Sequence, residues 1–427
     1  MIRRIIRWTF RLIYWIGVIV FILVFVRDST VPFGDQWTAV GVIARNEQFD
    51  YIGWEVDALW GKLTESLTGV TAYLTDAEAT ALVRAYMRDL ATAQRLEADI
   101  RAIYTDPDIP DPAAASAELR TQRDTLRADL ASRQSLIEAI LERQITGILR
   151  ELGFTTGGMV LPPVTMHFTP LPNLLIVSPR DQIRFDISIN LDPMPIDAIT
   201  ALEDQIEREQ NVSALIEPIG GLALYPAMIL ETTSIQFALE TFAHEWLHHY
   251  LFAFPLGLSY DFAGEARIIN ETTAYQFGKE VGRLALERYY PDLVPPPPPP
   301  PADPDAPVGE PMPPAAPPAF DFGAELNETR VTVDRLLAEG QIEEAEAYME
   351  DRRRLFVANG YGIRRINQAY FAFYGGYQTG SPGAGGGDPI GEAVAQIRAN
   401  SATIQEWIVT LRGITTREEL LLAAEER

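Results

Sequence analysis

The chain has 427 residues, of which 47% are hydrophobic and 22% charged, values typical of a globular protein with more than one structural unit. Its formal net charge of −24 argues against nucleic acid as a partner, because phosphate binding requires clustered lysine and arginine. The absence of cysteine excludes disulfide bonds, thiolate metal ligands and a cysteine-protease mechanism.

Residues 1–27 are predicted to form a transmembrane anchor. An uninterrupted apolar run covers residues 12–26, and counting back to Trp8 brings it near the ~20 residues that span a bilayer. Arginines precede the run and acidic residues follow it, so the positive-inside rule predicts a single-pass protein of the cell membrane with a cytoplasmic N-terminus. A cleaved signal peptide is the alternative, but no A-x-A-like cleavage site follows the run.

Residues 28–75 form an aromatic lead-in segment that either packs on the following domain or lies at the membrane interface. Residues 76–153 predict a long helical hairpin, because two stretches of strong helix formers are separated by the turn TDPDIPDP. We interpret this hairpin as a structural spacer, with a protein-binding arm as the alternative.

Residues 154–289 are predicted to form the core domain. Short β-branched segments between residues 158 and 195, punctuated by proline and asparagine, predict an antiparallel sheet. Residues 197–209 predict a helix, and residues 220–231 predict the last strand before a further helix. We expect His167, alone in the first strand, to be structural.

The central motif lies in a predicted helix over residues 234–251, which carries His244, Glu245 and His248 in the order H-E-x-x-H. Positions four apart lie on one helical face, about 6 Å apart along the axis, so the two imidazoles can bind one metal ion. Zinc accepts imidazole nitrogen and keeps an open position in catalytic sites, where Glu245 can act as general base. The alternative is an ordinary helix with two core histidines.

A third ligand is expected from a second predicted helix, on which four residues share one face: Ile268, Glu271, Thr272 and Tyr275. Glu271 can supply a carboxylate oxygen to the metal. Among its rivals, Glu265 is expected to cap the helix and Glu280 to be solvated. His249 follows His244 by five positions and is therefore expected to face away from the metal.

The sequence HEWLHH followed by NETTA resembles the gluzincin zinc metallopeptidases, whose second motif commonly reads N-E-x-x-A. The resemblance implies His244, His248 and Glu271 as zinc ligands and Glu245 as general base. It further implies an α+β, zincin-like catalytic domain, with a small, mostly antiparallel sheet beside the active-site helices. By the same resemblance, residues 222–225 line a cleft that holds the peptide in extended form; a buried core strand is the alternative.

Residues 290–322 are predicted to form an extended, exposed proline-rich linker. We interpret it as an inserted surface loop, with binding of a proline-recognising partner as the alternative. Residues 323–427 return to helix and complete the peptidase. Their tyrosine-dense part supplies three candidates for stabilising the oxyanion of a tetrahedral intermediate, with core packing as the alternative role: Tyr370, Tyr374 and Tyr377. Asn367, Ala369 and Tyr370, taken with both motifs, resemble a group of predicted bacterial zinc aminopeptidases over residues 220–425.

Together these patterns predict a membrane-anchored, extracytoplasmic zinc metallopeptidase acting on a peptide or protein substrate, with aminopeptidase action indicated by the resemblance alone. The alternative is a non-catalytic envelope scaffold whose hairpin or proline-rich segment binds a protein partner and whose zinc site is structural or degenerate. The intact Glu245 argues against the scaffold, since a structural site does not need it. A site inside the bilayer is disfavoured because only one spanning segment is visible and acidic residues flank the motif helix.

Overall fold

The structure is a computed structural model that describes residues 14–21, 34–66, 73–261, 264–294, 320–378 and 383–426. Of the predicted anchor over residues 1–27, only residues 14–21 are described, as a helix (α1), and the rest lies outside the described residues. Residues 295–319 of the predicted proline-rich linker also lie outside them. In the described ranges, no helix combines the length and apolarity needed to cross a membrane.

The chain before the first strand is helical. Its helices are α2 (Gln36–Ile43), α3 (Tyr51–Ser66), α4 (Asp76–Thr105), α5 (Pro112–Ala115) and α6 (Ala117–Glu151). The predicted hairpin corresponds to α4 and α6, with α5 in the connection. A capping box begins α4, because Thr75 and Glu78 each accept a hydrogen bond from the other's backbone N–H. Asp111 caps α5 by accepting a hydrogen bond from the Ala114 N–H at 2.9 Å, which satisfies a backbone donor in the first turn of that helix.

Six strands form two three-stranded sheets in the described chain. They are β1 (Met166–Phe168), β2 (Asn173–Pro179), β3 (Ile187–Leu191), β4 (Val212–Pro218), β5 (Gly221–Leu222) and β6 (Ala227–Ile229). The first sheet is antiparallel in the order β3–β2–β4, and the second has the order β1–β6–β5 with β1 parallel to β6. Helix α7 (Ile196–Gln210), close to its predicted bounds, connects β3 to β4.

The single antiparallel sheet predicted over residues 158–195 is therefore divided. Pro170 and Pro172 lie between β1 and β2, and proline has no N–H with which to continue a ladder. The segment of β1 instead pairs with β6 in the second sheet. The predicted strand over residues 220–231 is likewise split, because the turn that contains Pro226 separates β5 from β6. The architecture is α+β, with two small sheets and a large helical part.

Helices make up the described chain after β6. They are α8 (Ile235–Leu251), α9 (Pro255–Leu258), α10 (Gly264–Tyr289), α11 (Phe322–Ala338), α12 (Ile342–Ala358), α13 (Gln368–Tyr374), α14 (Ile390–Ala399), α15 (Ile404–Leu411) and α16 (Arg417–Glu425). The first sheet lies between two helical layers, with α2 and α7 on one face and α11, α12 and α13 on the other.

The largest core joins the hairpin to α8 and α10. Leu90 of α4, Ile140 of α6, Phe242 of α8 and Phe277 of α10 all belong to one cluster of buried side chains. The same cluster includes residues of β1, α14, α15 and α16. The hairpin thus buries part of its apolar surface against the two helices that carry the sequence motifs.

Helix α6 also closes one edge of the second sheet. The Met166 N–H donates to Glu142 Oε1 at 2.7 Å, and the Phe168 N–H donates to Glu138 Oε1 at 2.8 Å. Lys62 Nζ of α3 pairs with both carboxylates, at 2.8 Å from Glu138 and 2.9 Å from Glu142. Because these groups occupy the backbone of β1 on the side away from β6, no further strand can pair there. The other edge strand of this sheet is β5.

Helices α8 and α10 approach each other closely along two glycines. A Cβ at Gly278 would lie 2.7 Å from the Glu240 carbonyl oxygen and 3.0 Å from His244 Cβ. A Cβ at Gly282 would lie 2.8 Å from Glu240 Cα. Glycine is therefore required at both positions for the helices to reach this separation.

We expect Gly278→Ala to lower the free energy of unfolding by about 1–3 kcal/mol, because the added methyl group meets backbone that cannot move aside. The gain of helix propensity from alanine, at most ~1 kcal/mol, does not offset this. Urea unfolding of the full chain measures the effect. Gly61→Ala in α3 is the control, since a Cβ there meets nothing within 4 Å. Equal stability of the Gly278→Ala variant and the parent would contradict the close helix contact.

Candidate metal centre

Helix α8 is fixed in position by its apolar side. Ser234 caps its N-terminus by accepting a hydrogen bond from the Phe237 N–H at 3.1 Å. Trp246 is fully buried, and its indole Nε1–H donates to the Pro162 carbonyl at 2.8 Å. Its ring also stacks on Phe277 of α10. These contacts set the rotation of α8, so that its histidine stripe faces α10.

Three side chains converge between α8 and α10. His244 Nε2 and His248 Nε2 lie 3.0 Å apart, and Glu271 Oε2 lies 3.6 Å from each of them. Ligands at about 2.0–2.1 Å from a tetrahedral ion are separated by roughly 3.4 Å, so the observed separations suit a single metal ion. The structure thus brings together the three predicted ligands, of which two lie on successive turns of α8 and one lies on α10.

The unsatisfied atoms of this cluster fit a cation. Glu271 Oε2 is buried and has no hydrogen-bond partner in the described chain, which is costly for a carboxylate oxygen. His248 Nδ1 lies 2.8 Å from Asn270 Oδ1, and Asn270 Nδ2 donates to the Leu256 carbonyl at 3.4 Å. The imidazole proton is thereby drawn to Nδ1, which leaves the Nε2 lone pair for a metal. Two imidazoles and one carboxylate suit zinc and also other divalent first-row metals.

Tyr260 supports the third ligand, a role that the sequence does not reveal. Its hydroxyl donates to Glu271 Oε1, which leaves Oε2 directed at the histidines. Its ring lies against the His248 imidazole, with centroids 5.9 Å apart. Tyr260 lies between α9 and α10 without any recognisable motif, so only the fold places it here. Asn270 differs, because it belongs to the NETTA motif and precedes Glu271 directly.

The charges of the cluster are strongly coupled. Burial alone lowers the pKa of His248, but the carboxylate of Glu271 outweighs burial and raises it to about 9. Burial opposes ionisation of Glu271, yet His248 and His244 hold the pKa of its carboxyl well below its usual range. The site is therefore arranged so that Glu271 carries a negative charge beside a positive one, a role that a metal ion can fill.

Glu245 lies beside the cluster rather than in it. Its side chain is buried between α8 and β5, where a Cβ at position 221 would collide with Glu245 Oε1. Gly221 thus provides the space that this carboxylate occupies. Burial raises the pKa of Glu245, and Glu271 adds to the effect while His244 and His248 oppose it. A carboxyl with a raised pKa next to a metal site has the properties of a general acid–base group.

The structure separates the three candidate tyrosines. Burial raises the pKa of Tyr377 well above its usual range, and the negative charges of Glu271 and Glu245 add to the effect while Arg267 opposes it. The Tyr374 hydroxyl instead donates to Glu217 at 3.4 Å, and the Tyr370 ring lies 4.5 Å from that of Tyr374. Among the described residues, no hydrogen bond or ring contact joins Tyr370 or Tyr374 to the three ligands.

The rival ligands have other partners. Glu280 forms a salt bridge with Arg398 at 2.6 Å, so it is not the solvated charge that the sequence suggests. Glu265 accepts a hydrogen bond from the Arg417 N–H at 3.0 Å, which links the start of α10 to α16. His249 faces away from the cluster, as expected, and its Nε2 bonds to the Leu224 carbonyl at 2.6 Å. That bond ties α8 to the turn after β5.

Arg267 is a second residue that the sequence did not single out. Its guanidinium lies 3.7 Å from the Phe185 ring centroid and 4.5 Å from that of Tyr260. It is one turn before Glu271 on α10. A positive charge is thus held by two aromatic rings close to the candidate metal centre.

We expect Glu271→Gln to weaken zinc binding by more than the roughly 10–100-fold that loss of a supporting hydrogen bond costs, because the amide lacks the ligand charge. Titration of the metal-free full chain with zinc against a chelator measures the affinity. The control is Glu280→Gln, which removes a carboxylate on the same helix but outside the cluster. Equal zinc affinity of both variants would contradict the assignment of Glu271.

We expect Asn270→Ala to weaken zinc binding by about 10–100-fold, since His248 Nδ1 loses the acceptor that orients its ring. The same titration measures this variant. Tyr260→Phe tests the other support, because it removes the hydroxyl that bonds to Glu271 Oε1 and keeps the ring. Parent-like affinity in both variants would show that these two residues do not position the ligands.

No protein-family model matches this chain, and no curated protein or solved structure matches it.

Proposed function

We propose that the protein is a zinc-dependent metallopeptidase in which His244, His248 and Glu271 hold the metal and Glu245 is the general base. One observation supports this most strongly: three ligand atoms converge within 3.6 Å of one another beside a buried, separate carboxylate. A purely structural metal site has no use for that fourth group. Zinc, when bound, supplies a Lewis acid that activates water and polarises the scissile carbonyl.

Glu245 takes the proton from the attacking water and later passes it to the leaving amine. Burial raises its pKa, so that the carboxylate binds a proton more readily than an exposed glutamate and can still release it. Because Gly221 has no side chain, Glu245 Oε1 can occupy the space beside β5. A role in proton transfer explains why the Glu245 side chain faces β5 and not the three ligand atoms.

The peptide substrate lies along β5 in extended form. With the β1 edge closed by Glu138 and Glu142, β5 is the remaining edge strand of the second sheet, and its first residue borders Glu245. Backbone pairing to such an edge binds peptides with little dependence on their side chains. Tyr377 is the tyrosine that we assign to the oxyanion, because its phenol interacts electrostatically with both Glu271 and Glu245.

The peptidase is further proposed to be an aminopeptidase attached to the cell membrane. Aminopeptidase action follows from the resemblance carried by HEWLHH, NETTA and the segment around Tyr370. Attachment to the cell membrane, with the metal centre outside the cytoplasm, follows from the apolar run over residues 12–26 and the arginines before it.

We expect Glu245→Gln to retain zinc and to lose peptide hydrolysis by several orders of magnitude, because the amide cannot accept the proton of the attacking water. Zinc content and the turnover of a fluorogenic peptide library measure both effects on one preparation. Glu280→Gln is the matched control and should keep both zinc and turnover. Hydrolysis at the parental rate by the Glu245→Gln variant would refute the mechanism.

Comparison of peptides with free and acetylated N-termini tests the aminopeptidase proposal. An aminopeptidase binds the α-amine of its substrate, so we expect cleavage of the free peptide and not of its acetylated form. Equal cleavage of both peptides would identify an endopeptidase, and the metal chemistry proposed above would still hold.

A further inference from the structure

An ordinary surface helix is apolar on its inner face and polar on its outer face, and helix α3 has the reverse arrangement. Its inner face is attached to the protein through polar groups. Trp54 Nε1–H donates to Thr169 Oγ1 at 3.3 Å, and Lys62 Nζ pairs with Glu138 at 2.8 Å. Ala58, between them, is buried. These contacts fix the rotation of the helix about its axis.

The outer face of α3 is apolar and exposed. Ile52 is 79% exposed, Val56 62%, Leu59 45% and Trp60 69%. These positions follow the spacing i, i+4, i+7 and i+8, which puts them on one side of the helix. On α2, Trp37 and Val42 are also exposed, each at 58%. Soluble proteins rarely present an apolar helix face of this kind without a partner.

The position of α3 in the chain indicates what covers this face. The apolar run over residues 12–26 ends ten residues before α2 begins, a length of chain that extends at most ~36 Å. If the run lies in a bilayer, α2 and α3 are held near its surface. The described part of that run does not cover α3, because Tyr14, Trp15 and Ile19 of α1 are each more than half exposed.

The chemistry of the face also fits a lipid surface. A helix that lies in the membrane interface presents bulky apolar residues and tryptophan to the acyl boundary, and Trp60 provides the tryptophan. The overall charge of −24 disfavours attraction to an anionic surface, so the binding is apolar and suits neutral lipid.

We propose that α3 lies in the membrane interface, with Ile52, Val56, Leu59 and Trp60 in contact with lipid and Lys62 directed into the protein. The inference rests on the membrane attachment proposed above and is independent of the peptidase chemistry. Helix α3 then joins the anchor to α6, and through α6 to the core that carries α8 and α10. The metal centre is consequently held at a defined height and orientation above the bilayer.

The cysteine-free sequence allows a direct test by site-directed spin labelling. The full chain with Val56→Cys carries one nitroxide label and is reconstituted into neutral phosphatidylcholine vesicles. Power saturation with oxygen and with a water-soluble nickel chelate then measures whether the label lies in lipid or in water. Val331→Cys on α11 is the matched control, since Val331 is also a half-exposed helical valine, at 48%.

We expect the label at position 56 to be several times less accessible to nickel and more accessible to oxygen than the label at position 331. Equal nickel accessibility at the two positions would overturn the proposal. Dipolar broadening between labels at position 56 would also overturn it, because a second copy would then occupy the face. Flotation of the chain with the vesicles is required by the proposal, and failure to float would refute it.

A second variant separates lipid contact from folding. Val56→Glu places a charge on the outer face, away from the contacts of Trp54 and Lys62. We expect this variant to retain hydrolysis of a soluble peptide. We also expect a spin label at position 59 to be severalfold more accessible to nickel in the Val56→Glu variant than in the chain that keeps Val56. A label at position 59 with unchanged accessibility would contradict the lipid contact, whatever the peptidase activity shows.

Discussion

The candidate metal centre depends on the close contact between α8 and α10. Gly278 and Gly282 allow the backbone of α10 to approach Glu240 and His244 to distances that no larger residue permits. The same contact brings His244 and, one turn further along α8, His248 close to Glu271 of α10. Trp246 and Phe277 fill the apolar side of the pair and keep it in register. The separation of the ligand atoms is thus a consequence of helix packing, so a substitution at either glycine changes the distances between the ligands.

Burying three titratable groups together is unfavourable unless each has a partner. Asn270 satisfies His248 Nδ1, and Tyr260 satisfies one oxygen of Glu271. Three further atoms, His244 Nε2, His248 Nε2 and Glu271 Oε2, lie within 3.6 Å of one another. The arrangement leaves an electrostatic demand for positive charge there, which the raised pKa of His248 reflects and which a divalent metal would meet. Glu245 is not one of the three ligands, so its carboxylate is available to transfer a proton.

The helical hairpin contributes to the site indirectly. Helix α6 packs on the shared core and blocks the β1 edge with Glu138 and Glu142, and Lys62 of α3 pairs with both carboxylates. One set of charges therefore closes a sheet edge that would otherwise be free to pair and also orients α3 with its apolar face outward. The hairpin links the two surfaces on which the proposals depend, the β5 edge beside Glu245 and the outer face of α3.

The sequence alone determined the local features: the H-E-x-x-H helix within one residue of its observed bounds, the hairpin helices, the α+β class and the placing of His244, Glu245 and His248 on one helix. Periodicity and capping act over a few residues, so they can be recognised without the fold. Only the tertiary structure distinguished Glu271 from Glu265 and Glu280, favoured Tyr377 over Tyr370 and Tyr374, revealed Tyr260 and Arg267, and divided the strands into two sheets. These outcomes depend on which faces of distant segments meet, and spacing along one segment carries no information about that.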